Sequence, residues 1–172
     1  VATAMAQVMM YYKYPKELKA DIPAYTTATN KLKVNAISKG EKYDWDNMLP
    51  TYTEGEYNTT QADAVAKLMF HCGAAVQMDY GDSSGALVRP EDMSTYFGYD
   101  ADLLQEVYRS VYTLAEWKKI LDRELEAKRP ILYGGVASNE NGHLFVCDGS
   151  DGEGLYHINW GWSGDSDGYF DI

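Results

Sequence analysis

Gly142-His143-Leu144-Phe145-Val146-Cys147-Asp148-Gly149, followed ten residues later by Asn159-Trp160-Gly161-Trp162, places one of the chain's three histidines at the mouth of an apolar strand and an Asn/Trp cluster at the end of the next. Two adjacent strands of this kind can hold an imidazole beside a polar group that orients it, which is how a base for nucleophilic catalysis is built. No nucleophile is obvious nearby, and that gap is itself informative.

Working outward, the C-terminal half reads as sheet. Ile131 to Val136, Leu144 to Asp148, Leu155 to Trp160 and Gly168 to Ile172 are predicted strands separated by turns rich in Gly, Asn and Asp. They follow a strongly amphipathic helix over Leu114 to Lys128, with Trp117, Ile120, Leu121 and Leu125 inward and Pro130 as its stop. The N-terminal half reads as helical. Ala2, Met5, Ala6, Met9 and Met10 recur at helical spacing before Pro15, predicting a buried helix of small side chains. A Thr-rich excursion with a short strand over Lys31 to Ala36 leads to the aromatic turn Tyr43-Asp44-Trp45-Asp46-Asn47. Thr59 to Asp63 then caps a second helix, with Ala62, Val65, Ala66, Met69 and Phe70 as its apolar stripe and Gly73 as its end. Ala75 to Tyr80 alternates like a strand edge and runs into a loop of small polar residues, Gly81 to Gly85. The expected class is α+β, with helices before roughly residue 80 and mainly antiparallel sheet after it.

At 172 residues the chain is long enough to bury roughly 68–70% of its unfolded surface as one domain, without disulfides or metals to hold it. A formal charge of −11 argues against nucleic acid or an anionic membrane as partner, because phosphate is bound through clustered Lys and Arg. No apolar run approaches the roughly 18 residues of a membrane span. Cys72 and Cys147 allow one disulfide at most. The opening Val1-Ala2-Thr3 and the ending in mid-strand at Ile172 are expected for a processed or trimmed chain.

His71 at a helix end and His157 within a strand are read as structural. His143 differs by position, since it follows Gly142 at the junction of a loop with an apolar strand, where a side chain faces a cleft on rigid backbone. Asn159 can pair with one imidazole nitrogen and fix the tautomer, or it can be a turn-side amide at a strand end. Trp160 can shield such a bond from water or belong to the core. Strict alternation sends Asn159 and Trp160 to opposite faces, so both reach His143 only if the strand bulges. Cys72, at a helix C-terminus, and Cys147, amid apolar neighbours, read as small core hydrophobes. A reactive thiolate belongs at a helix N-terminus, and the helix with no visible beginning is the one at Val1, so the nucleophile is expected just upstream.

Val1-Ala2-Thr3-Ala4-Met5-Ala6-Gln7-Val8-Met9, with Tyr14-Pro15 after it, resembles the active-site helix of the streptopain-type cysteine peptidases, a branch of the papain-like fold. Four further segments agree in order and spacing: Tyr43 to Pro50, Met78 to Gly85, Gly142 to Gly149, and Tyr156 to Gly164. The resemblance covers nearly the whole chain. It implies a two-lobe papain-like peptidase domain over residues 1–172, incomplete at both ends, with a helical lobe over about 1–80 and a mainly β lobe over about 81–172.

That resemblance places a catalytic cysteine immediately before Val1 and an oxyanion-hole glutamine further upstream. It puts the catalytic histidine on His143 and the Asn-Trp pair beside it on Asn159 and Trp160. Substrate contacts fall on Ser84, Gly85 and Ala86, where a backbone edge receives a peptide by strand-like hydrogen bonds, and on Val136 and Gly142 as the facing wall. Ala86 stands where the family is expected to have serine, and the loop at 137–141 is about one residue longer. The implied protein is an exported cysteine endopeptidase, secreted or held at the bacterial surface or periplasm. Its partners would be polypeptide substrates and its own propeptide as inhibitor, with no cofactor and no metal. Two other readings stay open: a peptidase-like domain that only binds peptides, and a calcium-dependent adhesive module built on the turns Asp148 to Gly152 and Asp165 to Gly168.

Overall fold

In the computed structural model, which describes residues 1–136 and 142–172, the chain divides into two compact units, Val1–Glu106 and Val107–Ile172. The loop at 137–141, expected to be lengthened, lies outside the described residues.

In the first unit, alternating small and sulfur-bearing side chains make the helix α1 (Ala2–Tyr12), which buries Ala4, Met5, Ala6, Val8 and Met9. It ends where Lys13 turns left-handed and donates its N–H to the Met10 carbonyl. The following segment pairs back on itself: Leu18 N–H donates to Glu41, Gly40 N–H to Leu18, and Ile22 and Ile37 exchange both bonds. Between them lies a hairpin of two short strands, β1 (Tyr25–Thr26) and β2 (Lys33–Val34). The predicted aromatic turn is a 3-10 turn over Trp45–Asn47. Its indole is buried and donates to the Pro15 carbonyl at 2.9 Å.

The second helix, α2 (Thr59–Ala75), is capped one residue earlier than predicted, where Asn58 and Gln61 form a reciprocal capping box. Its inward face also differs from the predicted stripe. Ala64, Leu68, His71, Cys72 and Ala75 are buried, while Ala66 and Phe70 are exposed. The two faces have equal helical spacing, and the inward one carries His71, whose Nδ1 is hydrogen-bonded to the buried Tyr43 hydroxyl at 3.1 Å. A histidine with a partner can lie inward where pattern counting treats it as polar. Gly73 does not end the helix; it makes room for Tyr80, since a Cβ there would lie 2.2 Å from the Tyr80 hydroxyl oxygen.

With the helix running through Ala75 and Gln77 left-handed at φ 50°, the strand expected over Ala75 to Tyr80 does not form; what remains is one antiparallel bridge between Asp79 and Gly85. A further helix, α3 (Pro90–Phe97), was not anticipated, although Pro90 at its first turn, Asp92 accepting from Arg89 N–H and left-handed Gly98 after it are ordinary boundary signals. Lys19 N–H donates to the Tyr96 carbonyl and the Tyr14 hydroxyl to the Gly98 carbonyl. These bonds tie α3 to the N-terminal segment within the first unit.

The second unit opens with α4 (Leu114–Glu126), capped reciprocally by Thr113 and Glu116. Four strands follow, β3 (Ile131–Val136), β4 (Gly142–Ser150), β5 (Tyr156–Asn159) and β6 (Gly168–Phe170), antiparallel throughout and neighbouring in chain order. Trp117 and Leu121 of α4 pack against Phe145, Cys147, Tyr156 and Ile158 to make this unit's core. The strand β4 bulges between Cys147 and Gly149 where it pairs with β5.

Two outcomes test this packing. Gly73→Ala should lower unfolding stability by about 1–2 kcal/mol despite its better helix propensity, with part of the loss recovered by adding Tyr80→Phe; urea unfolding decides this, and an unchanged midpoint for Gly73→Ala would contradict the packing. Burial, with the Lys67 charge as a smaller cause, lowers the His71 pKa from 6.5 to about 4. The unfolded chain therefore takes up this proton first, and stability present above pH 6.5 is lost as pH falls toward 4, by up to about 3 kcal/mol from this group. His71→Asn should flatten that part of the stability-pH curve, and parallel curves for the two proteins would count against a neutral buried imidazole.

Candidate active site

Alternation along β4 puts His143, Phe145 and Cys147 on one face, so the imidazole continues the row that forms the core of the second unit. Its cross-strand neighbour is Gly135, which carries no side chain to cover it. The ring is half-buried among aromatics: Phe145 at 6.0 Å between centroids, Trp160 at 6.3 Å and Trp162 at 5.1 Å, all inclined by 33° or less. Phe145 and Trp160 also meet each other at 4.6 Å, and Trp160 stacks on Trp162 at 5.7 Å.

One polar contact sets the chemistry. His143 Nε2 lies 2.8 Å from the main-chain carbonyl of Trp160. A carbonyl only accepts, so Nε2 carries the hydrogen and, in the neutral ring, Nδ1 carries the lone pair. The carbonyl is held in place by its own residue: Trp160 N–H donates to Asp167 at 2.8 Å and the indole Nε1–H to the Ser166 carbonyl at 3.0 Å. Asn159 lies on the same turn, its side-chain oxygen accepting from Gly161 N–H at 2.9 Å, and Gly161 supplies the positive φ that reverses the chain. The strand β5 stops at Asn159, which relieves the alternation that would otherwise send residue 160 to the other face.

The other titratable candidates are placed differently. His71 is buried against Tyr43, and His157 pairs through Nδ1 with Asp148. Both cysteines are free and fully buried. Burial pushes the Cys72 thiol far above its usual range, and burial with the neighbouring Asp148 charge pushes Cys147 up to about 12, so neither is a thiolate near neutrality. In the turns weighed for calcium, the carboxylates serve the protein's own donors: Asp151 accepts from Glu153 and Leu155 N–H, Asp167 from Trp160 N–H, and Asp148 pairs with His157. Among the described residues no group of three or more His, Cys, Asp or Glu converges as a metal site.

The remaining sequence-predicted positions fall into two sets. Val136 and Gly142 are the last cross-strand pair before residues 137–141, which connect β3 to β4, and the Val136 side chain is exposed. In the first unit, Ser84 and Gly85 are exposed and Ala86 is half-exposed. Gly85 exchanges both main-chain bonds with Asp79, at 2.9 and 3.3 Å. Ser84 folds its hydroxyl back on Gly81, donating to the carbonyl and accepting from the N–H. Sequence reasoning did not find the Trp160 carbonyl or its Asp167 anchor. A main-chain acceptor has no residue signature, and the only hint was a Gly-rich turn carrying Asp seven residues after Trp160.

Comparison with known proteins meets this geometry. The peptidase C10 family matches residues 1–170. The chain is 40% identical to streptopain of Streptococcus pyogenes serotype M28 over 99% of its length and 44% of that protein. It is 32% identical to the thiol protease/hemagglutinin PrtT of Porphyromonas gingivalis over 99% of its length and 20% of that protein. It thus spans less than half the length of these relatives. The structure of the active cysteine protease interpain A from Prevotella intermedia superposes with a TM-score of 0.89 at 38% identity, covering 100% of this chain and 73% of that one. The prointerpain A fragment gives 0.86 at 40% identity, covering 99% of this chain and 55% of that one. With this α+β cysteine-protease fold and a family match over 170 of its residues, the chain belongs to the peptidase C10 family.

Proposed function

We propose that this chain is part of a cysteine endopeptidase in which His143 is the general base and acid for a thiol located immediately before Val1. The observation that carries the proposal is the Nε2–H bond to the Trp160 carbonyl, which leaves Nδ1 as the nitrogen that takes and returns a proton. Family membership and the names of the relatives, streptopain and thiol protease, support the reaction class.

The thiolate would attack the scissile carbonyl, His143 would protonate the leaving amine, and water would then hydrolyse the thioester with His143 as base. A thiol ahead of Val1 would sit at the start of α1, whose first turn holds no acidic residue to oppose a thiolate. The helix terminus contributes only about 0.3–1 kcal/mol, so the imidazolium supplies most of the thiol's ionisation. The oxyanion hole would join the cysteine's own amide to an upstream glutamine, each such donor being worth on the order of 3 kcal/mol. Asn159 and Trp160 would keep the ring oriented and shield its bond. No metal or cofactor enters these steps.

Substrate binding is assigned to the edge Ser84-Gly85-Ala86 and to Val136 and Gly142. Because Gly85 spends both main-chain groups on Asp79, strand alternation turns those of Ser84 and Ala86 outward, and these are the groups a peptide would pair with. A contact of that kind is indifferent to the alanine at position 86. A propeptide that inhibits until removed, export to the cell surface, periplasm or medium, and a preference for a hydrophobic residue two positions before the cut complete the reading. The prointerpain fragment among the matching structures supports the propeptide. No described helix is long and apolar enough to cross a membrane.

Peptide hydrolysis by the full-length gene product tests this. His143→Ala should lower kcat by about a thousandfold or more with an unchanged circular dichroism spectrum, whereas Cys72→Ser and Cys147→Ser should keep turnover near wild type. Full activity in His143→Ala would overturn the assignment.

A further inference from the structure

We infer that Thr29, in the turn of the β1–β2 hairpin, is a positioning residue for the peptide-receiving edge at Ser84 to Ala86 and acts on it through Asp79. This rests on the substrate edge assigned above. Three side chains of the hairpin grip three consecutive residues. The Tyr25 hydroxyl donates to the Met78 carbonyl at 2.8 Å, and the Asn30 amide to the Tyr80 carbonyl at 3.0 Å. Between them Thr29 donates its N–H to Asp79 Oδ1 at 3.0 Å and its hydroxyl to Oδ2 at 2.7 Å. Asp79 in turn exchanges both main-chain bonds with Gly85. One residue therefore carries the hairpin's hold on its side chain and the substrate edge on its backbone.

The segment needs this hold. Residues 76–84 belong to no helix or strand beyond the Asp79–Gly85 bridge; Met78 N–H on the Gly73 carbonyl ties the start of the segment to α2, and past Asp79 the main chain is held by that bridge, by the Ser84 hydroxyl on Gly81 and by the hairpin. The contact also continues into the loop: a Cβ on Gly81 would lie 2.7 Å from the Asn30 amide nitrogen. Bonds to an ionised carboxylate are roughly twice as strong as neutral ones. The two Thr29 bonds hold the Asp79 carboxyl below its usual range, with Lys31 as a smaller cause, so the clamp is fully charged at neutral pH. Thr29 is itself exposed. Shortening it removes little packing, so what it loosens is the register of the edge. Small displacements of positioning groups are costly to binding and rate alike.

The test uses the full-length gene product and an extended peptide made resistant to hydrolysis by a reduced-amide bond at the scissile position. Its Kd should weaken about tenfold in Asp79→Ala, equal to about 1.4 kcal/mol, and several-fold in Thr29→Val. Thr29→Ser, which keeps both donors, should match wild type. Alkylation of the reactive thiol by iodoacetamide, which needs no substrate edge, should stay within twofold in all three. An unchanged Kd in Thr29→Val and Asp79→Ala overturns the inference. So does a Thr29→Ser protein as weak as Thr29→Val, a fall in alkylation in step with binding, or a wild type that does not bind the peptide. Thr29-dependent binding by a protein that hydrolyses nothing would support this inference while overturning the peptidase reading; hydrolysis with a Kd indifferent to Thr29 and Asp79 would do the reverse.

Discussion

The bond from His143 Nε2–H to the Trp160 carbonyl is the constraint on which the proposed chemistry of this chain depends. It decides which nitrogen holds the hydrogen, which holds the lone pair, and in what plane the ring lies. A main-chain acceptor suits the task because it neither titrates nor rotates away. Its rigidity is borrowed from the turn: Asp167 takes the Trp160 N–H, Ser166 takes the indole N–H, and Phe145, Trp162 and Phe170 pack around the two rings. In such apolar surroundings a hydrogen bond is stronger and an unpaired polar group costlier than in water, so the aromatic shell stabilises one orientation.

The sheet that carries this site is anchored from the other direction by α4. Phe145 touches the imidazole and also belongs to the core cluster with Trp117 and Leu121, so the His143 ring extends the hydrophobic core rather than resting on a loop. The first unit follows a similar plan. Met9 of α1 meets Cys72 of α2 with the sulfurs 3.6 Å apart, and the fully buried thiol serves as a packing group at the contact between the two helices. His71, one residue earlier, is neutral and satisfied by Tyr43. In both units a residue type associated with catalysis is spent on structure, and the surroundings tell the two uses apart.

Much of this was legible from residue order. The spacing of Ala and Met in α1, the amphipathic helix α4 with Trp117 and Leu121 inward and the four β segments appear as read, and His143 stood out by its place after Gly142. The failures differ in cause. The inward face of α2 carries His71, whose partner Tyr43 is distant in sequence, and local periodicity cannot weigh such a contact. The strand at Ala75 to Tyr80 gives way to a helix that runs on through Ala75 into left-handed Gln77, and α3 was overlooked despite local boundary signals at Pro90 and Gly98. The orienting carbonyl of Trp160 was illegible for a different reason, since every residue has one and only the turn geometry selects it.

His143, locked in this way, is proposed to ionise a thiol at the head of α1. Peptide mapping of the full-length gene product after reaction with an epoxysuccinyl cysteine-protease inhibitor, with and without His143→Ala, decides whether it does. One label is expected, on a cysteine adjoining Val1, and its loss in the variant. A label on Cys72 or Cys147, no label at all, or labelling indifferent to His143 would contradict it.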